Sequence, residues 1–434
     1  MQTTWDRNRE KQLQFTRHRP EETSLYRVIY HYRDELGRCW EERFEDKYGK
    51  LRDCVLEAFD SYLNCGILLH GCARAYCENC KHSELIAFSC KRRGLCPSCD
   101  AKRGLIFAEN LHENVIGPHP VRHLVFSLPK RLRVYFKYDR KLTKLLYRAA
   151  WDAWSVITGN LPGKTAMIAA LHTAGDLLHF HPHIHSIALD GAVDENGAFH
   201  QLPEIDIDKL HDCFRQNVFN ALLKQELITQ DVVDNMLTWE HSGFNVWSGE
   251  PFTDPDTRRF LGRYLKKSPI SLERISIRDD GKIGITRKTD DFDETRLFDP
   301  LEFLAELSSH IPNVWEQTTR YFGVLAARTR GSHATKKLHL NNDTPLLLDE
   351  PIEPTPPASK YWATWIKRIY NVDPLTCPKC QHQMKIIAFL HDSKEISAIA
   401  KNRGIQPYRA PPPIAASVKA ENKIKESTII PIWD

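Results

Sequence analysis

The segment His179–Phe180–His181–Pro182–His183–Ile184–His185–Ser186–Ile187–Ala188–Leu189–Asp190–Gly191 carries four histidines in seven positions and then turns apolar. After Pro182 it reads as a β-strand that ends in a turn at Asp190–Gly191. Successive strand side chains point to opposite faces, so His183 and His185 share a face with Ile187 and Leu189. Two imidazoles at i and i+2 can chelate one divalent ion. A lone histidine fits a core, but this density of them is hard to bury in one. His181 is the nearest third ligand, although Pro182 breaks the register between it and His183. Asp176, Glu240 and His241 are the other candidates.

Downstream, Asp254–Pro255–Asp256–Thr257–Arg258–Arg259–Phe260–Leu261–Gly262–Arg263–Tyr264–Leu265–Lys266–Lys267–Ser268–Pro269 reads as a helix. Asp254 or Asp256 can cap its start, and Pro269 marks its end. Phe260, Leu261, Tyr264 and Leu265 then share a face. Alone, Tyr264 would be a core tyrosine. Arg258, Arg259, Arg263, Lys266 and Lys267 crowd around it, and such cations are what a phosphodiester substrate needs.

Of the 12 cysteines, most fall in one short window. Cys77–Glu78–Asn79–Cys80 and Cys96–Pro97–Ser98–Cys99 are C-x-x-C knuckles with fifteen residues between them. The spacing predicts one tetrahedral Zn²⁺ held by four thiolates, with metal binding and folding a single event. A catalytic zinc keeps an open position, so a closed thiolate site reads as structural. Cys72 and Cys90, with His70 and His82 nearby, leave a second metal or a different quartet open. A third knuckle, Cys377–Pro378–Lys379–Cys380, either completes a site with His382 or His391 or is a simple turn.

A chain of 434 residues exceeds one ordinary core, so two to four domains are expected. No apolar run of about 18 residues exists to span a membrane. The polar start Met1–Gln2–Thr3–Thr4–Trp5–Asp6–Arg7 lacks the apolar stretch of a signal peptide, so a cytoplasmic, nucleoid-associated protein is expected. In that compartment crowded cysteines indicate metal before disulfides. The net charge of +4 is modest, but the cations cluster. Arg92 and Arg93 lie in the cysteine block, and Arg320, Arg328, Arg330, Lys336 and Lys337 follow the tyrosine helix. Clustered Lys and Arg supply sequence-independent DNA affinity.

In this order the pieces resemble transposases of the insertion sequence 91 type, rolling-circle enzymes of the HUH-endonuclease superfamily. The resemblance runs over roughly residues 60 to 400. It includes Ser89–Cys90–Lys91–Arg92–Arg93–Gly94–Leu95–Cys96–Pro97–Ser98–Cys99, His181–Pro182–His183–Ile184–His185 and Gly243–Phe244–Asn245–Val246. Arg263–Tyr264–Leu265, Arg320–Tyr321–Phe322–Gly323–Val324–Leu325 and Asp373–Pro374–Leu375 also match. It implies an α+β fold in which helices flank a central antiparallel sheet carrying the histidine strand, preceded by a small cysteine-rich zinc module that binds DNA. The expected order is a helical region 1–65, the zinc module 66–110, the nuclease domain 118–290 and its extension 291–340. A linker 341–360, a small module 361–408 with the third knuckle, and a disordered tail 409–434 complete it.

By the same resemblance Tyr264 is the nucleophile, and the histidines hold Mg²⁺ or Mn²⁺ beside a structural Zn²⁺. The partners are single-stranded element ends and target DNA, with host replication proteins as further candidates. Founding members carry two tyrosines four residues apart on this helix. Here the first position is Phe260, which looks like the single-tyrosine branch of common-region elements. At pH 7 about one free phenol in a thousand is ionised, a cost of roughly 4 kcal/mol that the metal and cations would have to offset. Attack by Tyr264 would leave a 5′-phosphotyrosine and a free 3′-hydroxyl, so rejoining needs no ATP.

Three rival functions share parts of this pattern. A plasmid relaxase or replication initiator would use the same chemistry, and is disfavoured by the cysteine block and overall layout. A non-enzymatic zinc-dependent DNA-binding regulator leaves the histidine strand unexplained. A metallohydrolase would not need Tyr264.

Overall fold

The computed structural model describes residues 19–288, 293–329 and 375–414. The expected linker, Arg330, Lys336, Lys337 and the Asp373–Pro374 match lie outside them. Three amphipathic helices, α1 (Ser24–Arg43), α2 (Glu45–Tyr48) and α3 (Asp53–Leu63), lead into a hairpin of β1 (Cys72–Tyr76) and β2 (Ser83–Ala87). Helix α4 (Pro97–Asn114) starts on the second knuckle, with Pro97 in its first turn, where a missing N–H costs nothing. Strands β3 (Val121–Ser127), β4 (Ala166–Ala174) and β5 (Phe180–Leu189) follow, with α5 (Lys130–Tyr138) and α6 (Thr143–Ile157) between the first two. The small hairpin β6 (Gly191–Val193) and β7 (Phe199–Gln201) precedes α7 (Ile207–Lys224), α8 (Gln230–Leu237), β8 (Asn245–Ser248) and α9 (Pro255–Tyr264). A meander of β9 (Ile275–Ile277), β10 (Ile283–Lys288) and β11 (Asp293–Phe298) is followed by α10 (Pro300–Ser308) and β12 (Thr319–Gly323). The chain's last described elements are β13 (Lys385–Leu390) and α11 (Ser393–Lys401).

The central sheet has five strands in the order β12-β4-β5-β3-β8, and every neighbouring pair is antiparallel. Period-two alternation gives it two apolar faces. Ile184 and Ala188 of β5, with Leu124, Phe126, Met167 and Ala169, pack beneath side chains of α5 to α8. Ile187 and Leu189, with Val121, Ile168 and Ala170, pack against Leu111 of α4, Leu261 of α9 and Leu265. The fold is the expected α+β arrangement of helices around an antiparallel sheet.

Helices α4 and α9 approach each other at backbone distance. A Cβ on Gly262 would stand 2.9 Å from the Cα of Ala108, and one on Gly104 would stand 3.2 Å from the Arg263 carbonyl. Glycine at 262 therefore sets how closely the tyrosine helix seats on α4.

A buried ion pair ties the far end of the sheet. Arg122 Nε donates to Asp190 Oδ1 at 2.6 Å, and Arg122 Nη1 donates to Ser248 Oγ at 2.9 Å. Asp190→Ala leaves the guanidinium buried without its charge partner, so it should cost about 3–5 kcal/mol. Urea unfolding of the variant measures this, and a loss under about 1 kcal/mol would be that of an ordinary surface pair.

The first and last described segments do not form separate bodies. Leu25, Ile29 and Leu36 of α1 share a core with Ile285 of β10 and with Phe303, Leu304 and Leu307 of α10. Strand β13 joins β1 and β2 in a sheet of order β13-β1-β2, which brings the third knuckle's segment onto the cysteine module. Among the described residues no helix is long and apolar enough to cross a membrane.

Candidate active site and metal centres

Helix α9 begins on Asp254, whose carboxylate accepts from the Thr257 N–H at 2.7 Å. It ends on Tyr264, and the Leu265 N–H closes the last turn on the Leu261 carbonyl at 2.9 Å. The tyrosine ring thereby lies over the end of the sheet that the apolar side chains of α4 and α9 leave uncovered. Its centroid is 4.9 Å from that of His185 and 5.6 Å from that of His172. Lys267 Nζ stands 5.3 Å from the ring centre. Phe260, one turn earlier, stacks on Tyr264 at 6.5 Å and is 61% exposed.

Register builds the histidine group. His172 on β4 is directly opposite His183 on β5, and Ala170 is opposite His185. One nitrogen from each of His172, His183 and His185 lies within 4.8 Å of the other two. The remaining nitrogens orient the rings. His183 Nδ1 is 2.6 Å from the His181 carbonyl, a contact that requires it to be the donor. His185 Nδ1 is 3.0 Å from His123 Nε2. His172 Nε2 is buried without a hydrogen-bond partner. That orphaned nitrogen, and the ring nitrogens left on His183 and His185, are the donor set a divalent ion requires. Burial holds all three imidazoles below the ordinary range, His172 down to about 3. They are neutral at pH 7, so each keeps a lone pair for a metal.

The four residues expected as the third ligand all lie outside this trio. His181 lies outside it: between the His172–His183 and Ala174–Phe180 pairs β5 carries one residue more than β4, so the strand pair has lost its regular pairing where His181 would meet a partner. Asp176 is exposed and pairs with Arg287 at 3.0 Å, while Glu240 and His241 are exposed and outside the group. His172 escaped sequence reading because its partner is set by cross-strand register. The available signal was a polar residue closing the apolar run Ala166–Met167–Ile168–Ala169–Ala170–Leu171.

The trio and Tyr264 line a cavity of about 1070 Å³. Eight arginines and lysines face it against three carboxylates, so it suits an anion. Lys266 donates to Thr319 Oγ1 at 2.6 Å, and burial pulls its ammonium down to about 8. Lys267 is exposed beside it, and Arg93 reaches the cavity while donating to the Glu316 carbonyl at 2.8 Å. The other cations expected at DNA are placed differently. Arg258 is buried, and its guanidinium donates to the carbonyls of Gly117, Pro118 and His119, so it anchors the loop before β3. Arg259 pairs with Glu109 and Asp256 at 3.3 Å, Arg263 is half-buried, and Arg92 donates to Ser61 at 3.0 Å outside the cavity lining.

The cysteines divide otherwise than their spacing predicts. Cys96 and Cys99 meet Cys65 and Cys90, whereas Cys77 and Cys80 meet Cys377 and Cys380. In the first group, Cys65 Sγ is 3.8 Å from Cys96 and 3.7 Å from Cys99, and Cys90 is 3.6 Å from Cys99. Tetrahedral zinc with bonds of about 2.3 Å separates its sulfurs by about 3.8 Å. The two knuckles do not share one ion, because Cys77 and Cys80 sit in the turn between β1 and β2, and β2 separates that turn from Cys96 and Cys99. Cys72 belongs to neither group; it lies on β1 among Leu68, Leu85 and Leu390. Cys65, a single cysteine just beyond α3, gave no C-x-x-C signal.

Comparison with known proteins agrees with this arrangement. Residues 166–333 match the family described as "Putative transposase", and residues 36–128 match the family described as "Transposase zinc-binding domain". A transposase for insertion sequence element IS801 from Pseudomonas savastanoi pv. phaseolicola is 29% identical over 86% of this chain and 93% of its own length. "Putative transposase y4qJ" from Sinorhizobium fredii is 23% identical over 58% of this chain and 70% of its own. No solved structure matches the chain. The matched zinc-binding region contains all of the Cys65, Cys90, Cys96 and Cys99 group, and zinc is the metal its four thiolates suit. With both modules present in order, and most of its length shared with a transposase, the chain belongs to the insertion sequence 91 type of transposases, whose partner is DNA, and carries their zinc-binding domain toward its N-terminus.

Proposed function

We propose that the chain nicks and rejoins single-stranded DNA through a covalent 5′-phosphotyrosine on Tyr264 during rolling-circle transposition, as a single-tyrosine member of the HUH endonucleases. The observation that carries this reading is the convergence of Tyr264 from α9 with His172, His183 and His185 from β4 and β5 at one basic cavity. Phe260 has no hydroxyl and is exposed, which supports a single nucleophile. A Mg²⁺ or Mn²⁺ ion held by the three histidines would polarise an oxygen of the scissile phosphate.

Tyr264 Oη attacks the phosphorus, the bond from phosphorus to the 3′ oxygen breaks, and that oxygen leaves as a free 3′-hydroxyl. Burial, and after it the charge of Asp176, raises the phenol above its usual pKa of 10.0. Unassisted ionisation is therefore rarer than in water, and Lys266 and Lys267 are placed to offset the charge that builds up. Reversal of the attack by a 3′-hydroxyl reseals the strand.

Brief EDTA treatment should abolish nicking of single-stranded DNA from the flanks of the chain's own gene, and added Mg²⁺ or Mn²⁺ should restore it. Zinc on thiolates should survive that treatment, because soft ligands hold it far more tightly than imidazoles hold a hard cation. Full nicking after the exchangeable metal has been removed would refute the metal-dependent scheme.

A further inference from the structure

We infer that Cys77, Cys80, Cys377 and Cys380 hold a second structural Zn²⁺, which clasps the arm formed by residues 375–414 onto the N-terminal cysteine module. The ligands come from places 303 residues apart in the chain, and Cys377 and Cys380 lie outside both matched family regions. Cys77 Sγ is 3.4 Å from Cys380 Sγ, and Cys80 Sγ is 3.5 Å from Cys377 Sγ. These separations approach the roughly 3.8 Å of a tetrahedral zinc thiolate site and are far from the roughly 2.05 Å of a disulfide. All four cysteines are free.

The two knuckles repeat one backbone design. The Cys77 N–H donates to the His82 carbonyl at 2.7 Å, and the Lys81 N–H donates to the Cys77 carbonyl at 2.9 Å. The Cys377 N–H donates to the His382 carbonyl at 2.8 Å, and the Gln381 N–H donates to the Cys377 carbonyl at 2.9 Å. Lys81 and Gln381, in equivalent places, both adopt the left-handed region, with φ of 63° and 62°. Such a turn is strained for a side-chain-bearing residue, and its occurrence in both knuckles points to a shared purpose. Each turn presents two sulfurs, and together they form a closed sphere with no open position for water or substrate, so the ion's role is structural.

The arm is already aligned for this. Strand β13 pairs with β1, Leu390 and Ile396 are buried with Leu68 and Leu85, and Ile414 reaches the core that holds Leu25 and Ile29. The zinc joins the β1–β2 turn to the segment that leads into β13.

Metal analysis of the reduced, full-length protein tests the clasp, and its readout is independent of nicking. Two zinc equivalents per chain are expected. Cys377→Ser/Cys380→Ser should retain one, Cys65→Ser should lose the other, and Cys380→His should keep both because imidazole can replace a thiolate. Should the serine variant fail to fold, cobalt substitution of the wild type decides. Two equivalents of Co²⁺, both with thiolate charge-transfer and tetrahedral visible bands, support the clasp. One zinc equivalent in the wild type, two retained in Cys377→Ser/Cys380→Ser, or a mapped Cys77–Cys380 disulfide would each overturn it.

Discussion

His172→Ala should lower nicking as far as His183→Ala or His185→Ala does, by at least about 10³-fold at saturating DNA and ordinary Mg²⁺ concentration. The three imidazoles face one point, each with a single nitrogen free and each neutral at pH 7. Removing any of them leaves two ligands. His181→Ala should keep most of its activity, because its ring lines the cavity outside the trio. His123→Ala should fall between them, losing about 10- to 100-fold, since its Nε2 fixes the ring of His185 from behind. Nicking rates measured against Mn²⁺ concentration separate these cases. Ligand variants should fail at every concentration, whereas an orienting variant should recover as metal rises. An active His172→Ala beside an inactive His181→Ala would move the third ligand to His181.

The second large effect belongs to Tyr264. Tyr264→Phe keeps the ring that packs edge-on to His185 and stacks with Phe260, and removes one oxygen. Stability should change by no more than about 1 kcal/mol. Affinity for single-stranded DNA should be unchanged, because Lys266, Lys267 and Arg93 still line the cavity. Strand cleavage should fall by at least about 10⁴-fold, as it does when an enzyme loses its nucleophile. Phe260→Tyr on that background should not restore cleavage, since residue 260 is exposed and lies outside the cavity lining. Gel assays of cleavage, with binding and thermal melting on the same samples, distinguish this outcome from general unfolding.

The sequence revealed the parts of this molecule that depend on local periodicity. Alternation alone places His183 and His185 on one face of β5, and the Asp254 cap with Pro269 brackets α9. The antiparallel sheet with flanking helices followed from the family resemblance. What stayed hidden depends on partners distant in the chain. His172 meets His183 only through the β4–β5 register, and Cys65 and Cys90 meet Cys96 and Cys99 only once α3 and α4 are folded. Pairing by spacing joined Cys77 and Cys80 to the wrong knuckle, because they occupy the turn of the β1–β2 hairpin, and β2 separates that turn from Cys96 and Cys99 despite their closeness in sequence. Arg258 was misplaced for a related reason. A cation in a basic helix has the same sequence signature whether it meets solvent or the three carbonyls of a neighbouring loop.

The most direct test of the central claim is peptide mapping of the covalent complex formed with single-stranded DNA from the flanks of the gene, labelled on either side of the cut. One adduct per active site is predicted, on the peptide containing Tyr264. The protein should carry the label lying 3′ of the cut, because the tyrosine holds the 5′ phosphate. An adduct on Tyr321 or any other residue, a protein-bound label from the 5′ side, or cleavage with no adduct at all would contradict the account.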